Sequence, residues 1–155
     1  MPAADHLPRR KRIRLAAAAY RQGDPFLVTL CAHGRASPFL DARLATLVLR
    51  HLDAALESGA RPVGAYCLMP DHLHVVLSGS RDVVCWVAKF KSATTSAARR
   101  AGFVGQLWQR GFHDRCLSRL DDSIDSAVQY VLGNPVRKGL VARAESWPYS
   151  RNAWA

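Results

Sequence analysis

Two strand-like segments, PVGAYCLM (62–69) and HLHVVLSG (72–79), are separated only by Pro70 and Asp71. So short a break leaves them to pair as an antiparallel hairpin. Within the second segment, side chains alternate between the faces of the sheet. His72 and His74 therefore share one face, while Leu73 and Val75 share the other.

The segments around this hairpin limit the topology further. PFLVTLCAH (25–33), rich in β-branched and aromatic residues after the turn-like RQGD, predicts a first strand. In FLDARLATLVLRHLDAALESG (39–59), Leu40, Leu44, Leu47, Val48 and Leu52 recur at helical spacing, and Gly59 supplies a stop. After the hairpin, SRDVVCWVAKFKSATTSAARRAG carries Val83, Val84, Val87 and Phe90 on one helical stripe. LWQRGFHDRCLS predicts a fourth strand. DDSIDSAVQYVLGN predicts a last helix, its first-turn acids suited to the positive end of the helix dipole. Pro135 disfavours helical geometry at Asn134, so that helix should end there.

The order strand, helix, two strands, helix, strand, helix matches an α+β, ferredoxin-like split βαββαβ fold. The expectation is a four-stranded antiparallel sheet with two helices on one face, and an extra C-terminal helix. The other face is then open for a site. With 155 residues, 49% of them hydrophobic, the chain suffices for one sizeable core, and residues 1–155 are read as a single domain.

Lys and Arg number 22 against 12 Asp and Glu, a formal charge of +10, with a pI near 10.2. Such an excess favours an anionic partner, nucleic acid foremost, although a merely basic soluble protein has the same balance. Arg9, Arg10, Lys11, Arg12 and Arg14 crowd into a basic segment at about 8–14. It is either a solvated tail or localisation signal, or a direct DNA contact. Cys31, Cys67, Cys85 and Cys116 are too scattered for a C-x-x-C motif and are read as reduced thiols of a cytoplasmic protein. LAAAAY near the N-terminus is shorter than a signal-peptide core, and no stretch is apolar enough to span a membrane.

On residue types alone, His72 and His74 are either a metal-binding pair or two polar residues on an exposed sheet face. Tyr130 and Asn134, four apart in QYVLGNPVRKG, fall near the same helical face just before Arg137 and Lys138. Tyr130 could equally be a packed aromatic, and Asn-Pro simply a helix end. His33 and His51 are most simply surface or packing residues, and His113 a structural hydrogen-bonding group.

In their order and spacing, MPDHLHVVL, LWQRGFHDRCL and YVLGNPVRKGLV resemble the three signature blocks of single-tyrosine HUH transposases, specifically the REP-associated tyrosine transposase branch. The likeness runs from about Arg9 to about Tyr149, and its specificity lies in the combination. It implies a ferredoxin-like sheet whose central strand carries the two metal-binding histidines, matching His72 and His74. It implies a tyrosine nucleophile on a later helix with a polar third ligand four residues on, matching Tyr130 and Asn134. It also implies Mg2+ or Mn2+ as the cofactor and REP-type hairpins as targets.

Those residue types suit the chemistry. A free tyrosine, with a pKa of about 10, needs activation or a strongly polarised target to attack a phosphodiester. A divalent ion can polarise the phosphate and hold it in line. Attack by Tyr130 leaves a 5′-phosphotyrosyl enzyme and a free 3′-hydroxyl, and no nucleotide-binding Gly-rich loop is needed or found. The expected partner is single-stranded or hairpin DNA, with the protein a monomer or homodimer, cytoplasmic, and nucleoid-associated if bacterial. Arg9, Arg10, Lys11, Arg12 and Arg14 are the leading candidates for DNA contacts, then Lys89, Lys91, Arg137 and Lys138. Trp108 could stack a base or serve the core. A non-catalytic hairpin-binding descendant is the alternative. An RNA-recognition module shares the layout, but the aromatic pattern such modules carry is missing.

Overall fold

The computed structural model describes residues 25–57, 63–77, 82–117 and 124–153. The basic segment from Arg9 to Arg14 lies outside the described residues. The chain runs β1 (Phe26–Cys31), α1 (Ala42–Glu57), β2 (Val63–Met69), β3 (His72–Leu77), α2 (Val83–Arg100), β4 (His113–Cys116), α3 (Ile124–Leu132), α4 (Asn134–Arg137) and β5 (Ser150–Asn152). The strands form one sheet in the order β4-β1-β3-β2-β5, and all its pairings are antiparallel. The first four strands have the split βαβ order read from the sequence.

The sheet has five strands rather than the expected four. Ser150–Asn152 pairs with β2, setting Asn152 opposite Ala65 and Ser150 opposite Cys67. Three polar residues after Trp-Pro-Tyr have no strand pattern of their own. The strand exists because it supplies hydrogen bonds to an open sheet edge, and Arg151 anchors it to Asp53 of α1 at 3.0 Å.

Alternation along the strands creates two cores. Phe26, Val28 and Leu30 of β1, Tyr66 and Leu68 of β2, and Leu73, Val75 and Leu77 of β3 face α1 and α2. On the opposite face Leu27, Ala65, Cys67, Met69 and Val76 pack against Ala127, Val128 and Val131 of α3. That second face is therefore covered over β2 and β3, and open only toward β1 and β4. Burial on both faces explains why every residue of β3 is buried.

Local signals set the element ends. Asp82 caps α2, its carboxylate accepting from the Cys85 amide at 2.7 Å. Leu40, expected on the α1 stripe, instead sits in a short 3-10 turn (Pro38–Leu40) and is 73% exposed. The predicted fourth strand is mostly not a strand. Trp108 makes a single bridge to Ala32, and the ladder resumes only at His113. Gly111 between them has φ +82°, a conformation that takes the backbone out of strand geometry.

Candidate metal and tyrosine site

The sheet register assembles the site in cross-strand rows. His74 lies opposite Thr29 of β1 and Cys67 of β2, and Thr29 in turn lies opposite His113 of β4. His72 and His74 point to the α3 face, as their spacing predicts. Their Nε2 atoms are 3.1 Å apart, and the Asn134 carboxamide nitrogen is 3.2 Å from His72 Nε2. All three side chains are buried.

Their outer atoms are tied down. His72 Nδ1 is 2.6 Å from Asp71 Oδ1, and Asp71 Oδ2 is 3.1 Å from Arg35 Nη2. Thr29 Oγ1 is 2.8 Å from His74 Nδ1. With both Nδ1 atoms partnered, the Nε2 atoms are left to face each other. That distance suits a hydrogen bond when one ring carries its proton on Nε2, and a shared cation when both present lone pairs.

Burial pushes the His72 imidazole below its ordinary pKa despite the opposing hydrogen bond and charge of Asp71. Burial, then the charges of His72 and Arg137, push His74 down to about 3. Both rings are thus held neutral, the form that ligates metals. Burial alone would raise the Asp71 carboxyl, but the His72 hydrogen bond and charge, with Arg35, hold it below the usual range.

The donor set fits a divalent ion. Adjacent ligands at right angles on an ion with bonds of about 2.1 Å sit about 3 Å apart, close to the 3.1 Å between the imidazole nitrogens. Among the described residues no cluster of three or more His, Cys, Asp or Glu side chains could hold a metal. The third candidate donor beside the histidines is the Asn134 amide, whose carboxamide presents oxygen where nitrogen now stands after a half-turn.

The backbone around Pro135 delivers both Tyr130 and Asn134 to this face. α3 ends at Leu132, where the sequence places its end to within two residues. Gly133 stays right-handed (φ −78°, ψ −6°) and its amide donates to Gln129 O at 2.9 Å, so α4 starts at once. Pro135 occupies the first turn of α4, where its missing N–H costs little.

Tyr130 is 48% exposed, its ring 6.0 Å from that of His74 in an edge-on arrangement. The Arg137 guanidinium lies 4.3 Å from the ring centre, a cation–π contact, and donates to the Tyr130 carbonyl oxygen. Gly133 makes room for this clasp. A Cβ there would lie 3.0 Å from Arg137 Nη1 and 3.1 Å from Gln129 O.

Beside the tyrosine is a cleft of about 220 Å³ lined by Leu27, Thr29, His74, His113, Arg115 and Tyr130 among others. His113, expected to serve a structural hydrogen bond, is exposed here, and its imidazole has no hydrogen-bond partner among the described residues.

The other sequence candidates scatter. Lys138 is exposed beside α4, and Lys89 is exposed on α2 across the sheet. The Lys91 ammonium is committed to the backbone, donating to Gln109 O at 2.7 Å and to Gly111 O. Trp108 is 3% exposed, packs on Phe39 and Phe90, and donates to Thr94 Oγ1 at 2.9 Å, which is a core role. His33 is exposed and His51 bonds Leu47 O on its own helix, as expected.

Sequence reading missed Thr29, Asp71 and Arg35 as site residues. Asp71 could have been found, since a carboxylate adjoining a ligating histidine is a usual orienting partner. Nothing local marks Arg35, whose backbone takes φ +56° after Gly34 at φ +61° to bring its guanidinium back to Asp71.

No family model matches the chain. It is 27% identical over 99 residues to a curated protein of Haemophilus influenzae described as a candidate REP-associated tyrosine transposase, and the match covers 56% of each chain. The chain thus spans about half the length of that relative. Among solved structures, a REP-associated tyrosine transposase bound to a REP hairpin matches with a TM-score of 0.70 at 21% identity, covering 88% of this chain and 79% of that one. A candidate transposase from Deinococcus radiodurans matches with a TM-score of 0.50 at 18% identity, covering 71% and 88%. In sequence and in fold, this chain is similar to the REP-associated tyrosine transposases.

Proposed function

We propose that the protein is a metal-dependent endonuclease and strand transferase for single-stranded DNA, acting through Tyr130 on REP-type hairpins. The observation that carries this reading is the convergence of one exposed tyrosine with two neutral imidazoles and an amide, all donor atoms within 3.2 Å of a neighbour. The transposase relatives support it.

In this reading His72, His74 and Asn134 hold a divalent ion, Mg2+ or Mn2+. That ion, when bound, supplies polarisation of the scissile phosphate and neutralises charge that develops on its oxygens. His72 and His74 meet it with lone pairs that Asp71 and Thr29 aim. Arg137 holds one face of the tyrosine ring, and its charge favours an approaching phosphate. As the Tyr130 Oη–P bond forms, the phenol loses its proton. The P–O3′ bond breaks and the departing 3′ oxygen takes up a proton, leaving DNA joined through its 5′ phosphate. Attack by a 3′-hydroxyl on that linkage reverses the step and restores the phenol.

The test is incubation with labelled single-stranded hairpin DNA and Mn2+, followed by denaturing electrophoresis. A protein–DNA adduct is expected for the native chain and for neither Tyr130→Phe nor His72→Ala. Tight hairpin binding with no adduct across several sequences and metals would refute the catalytic reading and leave a hairpin-binding protein.

A further inference from the structure

Beyond the tyrosine cleft, a large groove lies on the α2 side of the sheet. It is an open trough of about 920 Å³ between α2 and the segment 105–112. Along α2 it is lined by Ser92, Thr95, Ser96 and Arg99, and along the facing segment by Gln109 and Arg110. None of its lining residues is acidic.

Its far wall is built rather than loose. Lys91 reaches across the trough to the carbonyls of Gln109 and Gly111, and Gln106 Nε2 donates to Trp108 O at 3.0 Å. The His33 amide donates to Leu107 O, and the Gln109 amide to Cys31 O. With the lysine so employed, the unspent cations are Arg99 and Arg110. Both are exposed, and neither has an ion-pair partner among the described residues.

The trough and the cleft are lined by consecutive residues of the chain. Phe112 lines the trough, and His113 lines the cleft beside Tyr130. β4 is the outermost strand of the sheet on that side, so no further strand among the described residues separates the cleft's edge from the trough.

We infer that the trough between α2 and segment 105–112 is a second nucleic-acid subsite, binding the sugar–phosphate backbone of the single strand that leaves the tyrosine cleft. Hydroxyls, carboxamides and guanidinia are among the groups that bind phosphate oxygens. A positively charged groove is what tracks a single strand. The inference rests on the DNA-processing reading above and adds Arg99 and Arg110 to the residues that bind substrate.

The experiment is fluorescence anisotropy of the full chain with a hairpin oligonucleotide carrying a single-stranded extension, over a range of salt. Arg99→Ala/Arg110→Ala should lower the slope of log affinity against log salt by about 0.7 per cation removed, about 1.4 for the pair. Over a fourfold rise in salt that is about a sevenfold smaller loss of affinity. Arg99→Lys/Arg110→Lys should keep the native slope, which separates charge from folding. Trimming the extension from the hairpin should abolish the difference between native and double-alanine proteins. An unchanged slope in the double-alanine variant, with native DNA binding intact, would overturn the subsite alone. Equal weakening toward polyglutamate would overturn its assignment to nucleic acid. A native chain that binds no hairpin would instead overturn the DNA reading itself.

Discussion

Replacing Asp71 tests how far the site depends on its support. The carboxylate serves two donors at once: His72 Nδ1 at 2.6 Å through Oδ1, and Arg35 Nη2 at 3.1 Å through Oδ2. Asn offers only one acceptor. The Arg35 side chain is 60% exposed and can turn to water, whereas buried His72 cannot. The remaining oxygen in Asp71→Asn should therefore stay with His72. The ring keeps its orientation but loses the basicity that a carboxylate lends its far nitrogen. Asp71→Ala removes both effects and frees the ring to adopt the other tautomer, which would put a proton on Nε2. Loss of such orienting partners costs about 10–100-fold in metal affinity, or about 1.4–2.7 kcal/mol. We expect Mn2+ affinity, measured by calorimetry or by loss of the free-ion EPR signal, to fall about tenfold in Asp71→Asn and about a hundredfold in Asp71→Ala. Long-range 1H–15N spectra should show the His72 tautomer preserved in the first and mixed in the second. Native affinity in Asp71→Ala, with binding abolished in His74→Ala, would refute the orienting argument while leaving the ligands in place.

Three further outcomes follow from the packing. Gly133→Ala should displace Arg137 from the tyrosine ring, because its long side chain yields more readily than Gln129 O at 3.1 Å. Thermal stability should then change by less than about 1 kcal/mol while adduct formation slows. Leu52→Ala in the α1 core, where the residue is fully buried, should cost about 2–5 kcal/mol in chemical denaturation. Tyr66 donates to Asp53 Oδ1 at 3.0 Å, and burial, then the Asp53 charge, raise its phenol well above the ordinary tyrosine pKa of about 10. Its stabilisation is complete below pH 10 and is lost as pH climbs from there toward the folded-state value. Tyr66→Phe should therefore lose about 1 kcal/mol at neutral pH but show a shallower alkaline decline in stability. An identical decline in both proteins would contradict this assignment.

Much of the scaffold was legible because periodicity reports burial directly. The Val83, Val87 and Phe90 stripe, the β2–β3 hairpin and the shared face of the two histidines all follow from side-chain geometry within one element. What stayed hidden depends on distant chain segments. β5 has no pattern and forms only because β2 leaves an edge open. The approach of Arg35 to Asp71 needs two successive residues with left-handed backbone, one of them not glycine. Tyr130 and Asn134 were read at helical spacing, and Pro135, expected to end their helix at Asn134, instead sits in the first turn of α4. Lys91 read as a surface cation, and only the turn of segment 105–111 back over α2 shows its charge to be spent on carbonyls.

α3 presents Tyr130 to the cleft and, from its opposite side, plugs Val128 and Val131 into the second core. Each of those valines is worth about 1.5–3 kcal/mol of burial, so the helix cannot swing aside cheaply. On the proposed chemistry the reacting phosphorus must meet first the tyrosine and later an incoming hydroxyl. With the nucleophile bolted to the sheet, the exchange of partners at phosphorus falls to the DNA. On that chemistry the strand ends, rather than α3, are the moving parts.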